Sequence, residues 1–70
     1  MRYLNMKRIT VVATDKPNMK PRKGIIAAEG YLLKFVKLND GTELELMSHT
    51  GKASDWYDPS GRNWQILGEN

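Results

Sequence analysis

The chain has no cysteine and only one histidine, His49. The missing thiols exclude a disulfide framework and thiolate metal sites, and a lone imidazole excludes the multi-histidine zinc patterns. Long apolar runs are also lacking, since none approaches the ~20 residues of a membrane-spanning helix. Met1–Val12 alternates charged and apolar residues without a continuous apolar centre, so it does not read as a secretory signal. The expected location is the cytoplasm, with no membrane contact. Met6 is an alternative start to Met1. There is no phosphate-cradling glycine loop, no nucleophile elbow and no supported pair of carboxylates, so the chain reads as a non-enzyme with no cofactor and no metal. At 70 residues it has room for one domain, 1–70, without repeats or low-complexity segments. A chain this short buries only ~60 % of its extended surface, so its core is marginal and gains from association.

What the chain does have is charge, unevenly placed. Residues 1–23 carry Arg2, Lys7, Arg8, Lys16, Lys20, Arg22 and Lys23 against Asp15 alone, whereas residues 24–70 carry four cations against seven carboxylates. A cationic cluster tracks phosphates, because binding releases condensed counterions. Surface lysines also keep small proteins soluble and blunt strand edges.

The remaining pattern is one of short strands. Ile9–Thr14 is rich in β-branched residues, and the alternation in Arg2–Met6 extends it. Residues 15–24 then form a basic loop in which Pro17 and Pro21 lack ladder donors and Gly24 permits a turn. Met19, inside that loop, is expected to fold back onto the body of the domain. Ile25–Ala28 reads as a strand. Tyr31–Leu38 is apolar on both faces, as in a strand covered on both sides; a helix over Ala27–Leu38 is the rival, but Gly30 and the β-type residues oppose it. Asn39-Asp-Gly41 ahead of the alternating Thr42–Met47 is a hairpin signal. The register is open: a two-residue turn sets Phe35 opposite Leu46 and Lys37 opposite Leu44, whereas a three-residue turn sets Val36 opposite Leu44 and Lys37 opposite Glu43, and the second is favoured because it pairs charge with charge. Trp56 and Tyr57 begin a further strand, Asp58-Pro-Ser-Gly61 has the composition of a type I turn, and Trp64–Leu67 closes the chain.

About five short antiparallel strands with loops between them argue for an all-β domain, either a barrel or a strongly bent sheet. In size and strand count it resembles SH3-like barrels, a likeness of fold that carries no function.

Two surfaces carry the functional expectation. The cations Arg2, Lys7, Arg8, Lys16, Lys20, Arg22 and Lys23 are candidate phosphate contacts. Trp56 and Tyr57, close in sequence to Trp64, are candidate stacking platforms for bases or a nucleotide ring. Filling a small core is the competing role for the tryptophans. The leading expectation is a non-enzymatic binder of nucleic acid or a nucleotide. The alternative is an inhibitor or adaptor docking on a larger protein assembly, through strand addition or a groove-filling Trp56. A homodimer through an edge strand or the aromatic face is also compatible with the open sheet. The remote alternative is a minimal nuclease in which His49, near Asp55 and assisted by Lys52 or Arg62, serves as base.

Overall fold

A computed structural model describes residues 7–70. Arg2 and the proposed extension over Arg2–Met6 lie outside the described residues. Among the described residues there are six strands: β1 Lys7–Ala13, β2 Arg22–Gly30, β3 Leu33–Leu38, β4 Glu43–Ser48, β5 Trp56–Tyr57 and β6 Asn63–Glu69. Each pairs antiparallel with the next, and β6 returns to β1 to close a barrel. The all-β expectation therefore resolves into the closed form rather than the bent open sheet. No helix occurs among the described residues.

Against the expected count of about five, the described residues form six strands, of which the Trp56–Tyr57 strand has only two residues. The proposed strand Tyr31–Leu38 is shorter than expected: Tyr31 and Leu32 form a turn, with Leu32 at a φ of 57°. That left-handed backbone is unfavourable for leucine by ~1–2 kcal/mol. Around it, the Ser48 N–H donates to the Leu32 carbonyl at 3.1 Å, and the Leu32 side chain lies over Gly51. The basic loop is also shorter than 15–24, because Arg22 and Lys23 already pair with Val11 and Thr10.

Alternation explains the core. Ile9, Val11 and Ala13 of β1 point inward with Ile26, Val36, Leu38, Leu46, Trp56, Trp64 and Ile66, all buried. Two irregularities bend the wall, one in β2 between Ile26 and Ala28 and one where β1 meets β6 between Thr10 and Val11. Such bulges increase local twist and let short strands close on themselves. At Gly24 the wall is tightest: a Cβ there would lie 2.3 Å from the Lys37 carbonyl oxygen.

The β3–β4 hairpin has the three-residue turn, with Val36 opposite Leu44 and Lys37 opposite Glu43. Gly41 adopts a φ of 91°, and the Thr42 N–H donates to Asp40 Oδ1 at 2.9 Å. The Asp58 turn also forms, with the Gly61 N–H donating to the Asp58 carbonyl at 2.9 Å. Asp58 does more than open the turn. Its Oδ1 accepts from Ser60 and the Arg62 N–H, and its Oδ2 accepts from the buried Trp64 Nε1 at 3.0 Å. Desolvation acts to raise the Asp58 pKa, but the donors, Ser60 and Trp64 foremost, hold it below the ordinary carboxylate value.

Candidate functional site

Register decides which side chains share the outer wall. Arg8 on β1 faces Ile25 on β2, and Ile25 faces Lys37 on β3. One step along, Thr10 faces Lys23; one step the other way, Ala28 faces Phe35. Because Ile9, Ile26 and Val36 point inward, their neighbours Arg8, Ile25, Lys37 and Phe35 point outward. Three cations thus surround Ile25 on a single face, with an aromatic ring beside them. Among the described residues, Arg8, Lys23 and Lys37 have no carboxylate within ion-pair distance.

Two hollows mark this face. One, of ≈ 400 Å³, is lined by Arg8, Thr10, Lys23, Ile25, Asn39 and Asn70. The other, of ≈ 430 Å³, is lined by Ala27, Phe35, Lys37 and Leu44, with Glu43 and Glu45 at its β4 side. The first is polar and cationic; the second is mainly apolar. Phe35 keeps 41 % of its surface in water. Lys16 and Lys20 lie in the exposed loop that leaves from the Lys23 end of the face.

The sequence-based site is only partly assembled. Arg8 and Lys23 lie on this face, and Lys16 and Lys20 lie in the exposed loop that joins β1 to β2. Lys7 is turned away and pairs with Glu29 at 3.4 Å. Arg22 is committed to Asp40 across the barrel end, where the Thr42 N–H is the main influence lowering the Asp40 pKa. Trp56 is a correction: it is 5 % exposed, and Trp64 is 2 % exposed, so neither indole offers a face for stacking or fills a partner's groove. Both belong to the inward parity, opposite one another in the β5–β6 pair. Tyr57 points outward but lies on β5, across the barrel from β2, and stacks on His49 at 5.2 Å between ring centroids. Met19 likewise departs from expectation, since it stays 37 % exposed rather than folding under cover.

Sequence reasoning misses Lys37, Phe35 and Asn39. The hairpin register Lys37–Glu43 is the available signal: it puts Lys37 and Phe35 on the same face. The two-sided apolarity of 31–38 hides which face meets water.

The far end of the barrel is closed by ions. Lys34 lies 2.8 Å from Glu29 and 3.4 Å from Glu69, with its ammonium 5.3 Å above the Trp56 ring. Burial alone would lower the Lys34 pKa, but the two glutamates raise it, and Lys34 is in turn the main cause of the lowered Glu29 pKa. This cluster satisfies itself and leaves no charge for a ligand.

The proposed His49–Asp55 dyad does not form. Asp55 Oδ2 accepts from the Thr50 hydroxyl and N–H, both at 2.7 Å, and from the backbone N–H of His49 at 3.1 Å and Ser48 Oγ at 3.3 Å. The Thr50 hydroxyl leads the donors that lower its pKa. Asp55 therefore staples a loop, and the His49 ring rests on Tyr57 instead. Among the described residues there is no cluster of three or more metal-ligating side chains, and no helix long and apolar enough to cross a membrane.

Comparison of the chain with protein-family models, with curated proteins and with solved structures finds no match.

Proposed function

We propose that this protein binds nucleic acid, in the cytoplasm and without acting chemically on it, through the outer face of β1, β2 and β3. The observation that carries this reading is the placement of Arg8, Lys23 and Lys37 around Ile25 on one face, Arg8 and Lys23 lining the polar hollow and Lys37 the adjoining apolar one, without ion-pair partners among the described residues. Three like charges around one isoleucine repel one another, and a polyanion relieves that repulsion while releasing its counterions. Lys16 and Lys20 extend the cationic surface along the loop, where Pro17 and Pro21 hold the backbone extended. The glutamates of β4, Glu43 and Glu45, bound it on the other side.

Fluorescence polarisation with a labelled oligonucleotide tests this at two salt concentrations. Affinity should fall steeply as salt rises. A combined Arg8→Ala, Lys23→Ala, Lys37→Ala variant should flatten the slope by about 0.7–0.9 for each phosphate that is no longer neutralised. Affinity that ignores salt, or a triple variant that binds as well as the parent, defeats the proposal.

One observation favours a second reading, docking on a protein. β5 pairs with β4 only at Met47 and Ser48, so Glu43–Leu46 has a strand neighbour on one side only. A partner can add a strand there, as the sequence-based alternative anticipated, although Glu43 and Glu45 guard the gap. Among the described residues, β6 likewise has no strand neighbour beyond Trp64 on its β5 side, so an edge-to-edge homodimer has these two segments flanking β5 to use. Recovery of a single stoichiometric chain with the nuclease-treated protein favours this second reading over the first.

A further inference from the structure

Resting on the nucleic-acid reading, we infer that the ligand is single-stranded, with an unpaired base stacked on Phe35 and the neighbouring phosphates held between Arg8, Lys23 and Lys37. Singly exposed apolar residues are ordinary on protein surfaces. The position of Phe35 is what distinguishes it. It stands in mid-strand on an open sheet face, beside Ala28 on one side and Glu45 on the other, rather than at a hairpin tip. Its ring lines the apolar hollow, and Lys37, two residues along the same strand, lines that hollow too. Residues two apart on a strand are separated by about 6.6 Å, so a ring and an ammonium lie within one nucleotide's reach of each other. Arg8 lies two strand spacings from Lys37 in the same row, about 10 Å away.

The two hollows therefore divide the work. The apolar one suits a base and the polar one suits its backbone. Glu43 and Glu45 fix the orientation, because they repel phosphates from the β4 side and direct the backbone toward β1 and β2. A duplex cannot use the ring, since its bases are already stacked and paired. In a single strand every base has a free π-face, and such stacking tolerates any sequence.

The test compares a labelled oligothymidylate, alone and annealed to its oligoadenylate complement, against the full chain and its variants. The single strand should bind more tightly than the duplex. Phe35→Ala should weaken single-strand binding roughly 5- to 150-fold, while duplex binding and the salt slope stay as in the parent. Phe35→Trp should retain single-strand affinity, and Phe35→Leu, which keeps apolar cover without a ring, should behave like Phe35→Ala. Thermal melting of each variant confirms that the barrel is intact. Equal affinity for the two forms, or full affinity in Phe35→Leu, overturns the stacking inference and leaves the basic-face reading standing. Binding of neither form, or binding unaffected by the Arg8, Lys23 and Lys37 substitutions, overturns both.

Discussion

Asp58→Ala is the most informative stability test, because one carboxylate links an exposed turn to a buried indole. It accepts four hydrogen bonds, from the Ser60 N–H and hydroxyl, the Arg62 N–H and Trp64 Nε1. The Ser60 groups can turn to water when the carboxylate is removed, so losing their bonds costs about 1 kcal/mol. Trp64 cannot, being 2 % exposed. A buried donor left without an acceptor costs about 1–3 kcal/mol. The expected total is about 2–4 kcal/mol, against a full stability of about 4–10 kcal/mol for a chain of this length. Urea unfolding followed by tryptophan fluorescence should show a midpoint lowered by roughly 1–3 M. Asp58→Asn, which keeps an amide oxygen, should fall between. The decisive comparison is made in a Trp64→Phe background, where no indole donor remains. There Asp58→Ala should cost only the turn's share, about 1 kcal/mol. An equal loss in both backgrounds would refute the link between the turn and the core.

Two further outcomes follow from the same packing. Gly24→Ala places a Cβ 2.3 Å from the Lys37 carbonyl oxygen and 2.8 Å from the Leu38 Cα. Both are backbone atoms that cannot swing aside, so a loss of about 3 kcal/mol or more is expected in thermal melts, with Gly30→Ala as a near-neutral control. Stability should also depend on acidity in one direction. Glu29, held down chiefly by Lys34, Asp55, held down chiefly by the Thr50 hydroxyl, and Asp58, where the donors outweigh burial, all titrate below their ordinary values in the folded state. Their contribution is complete above the unfolded carboxyl pKa of about 4 and is lost as pH falls through the folded values. The urea midpoint should be level from neutrality to about pH 5 and drop below about pH 4; a midpoint that rises on acidification contradicts these assignments.

Local chemistry makes much of this molecule legible in advance. Pro17 and Pro21 mark a loop, Asp40-Gly41 marks a hairpin and Asp58 through Gly61 marks a turn, because each depends on the φ preferences and donors of a few adjacent residues. Of the two β3–β4 registers the sequence leaves open, matching Lys37 with Glu43 favours the one that forms. The site is less legible, for reasons of distance along the chain. A strand of two residues, Trp56-Tyr57, has no alternation long enough to show which member faces inward; that is settled when β5 is held between β4 and β6. Lys7 and Arg22 look as available as Arg8 and Lys23, yet their carboxylates, Glu29 and Asp40, arrive from other parts of the barrel.

The amino-acid order alone dictates an all-β chain with its turns in place and a cationic first third, because propensity, turn geometry and charge act over short spans. Which cations stay unpaired, which aromatic rings meet water and where the indoles go depend on the tertiary pairing of the strands, completed by the β6–β1 closure. That closure joins residues more than fifty positions apart, and its register shifts at one bulge between Thr10 and Val11. Inside and outside are properties of the closed wall, so they exist only after the ends of the chain have met.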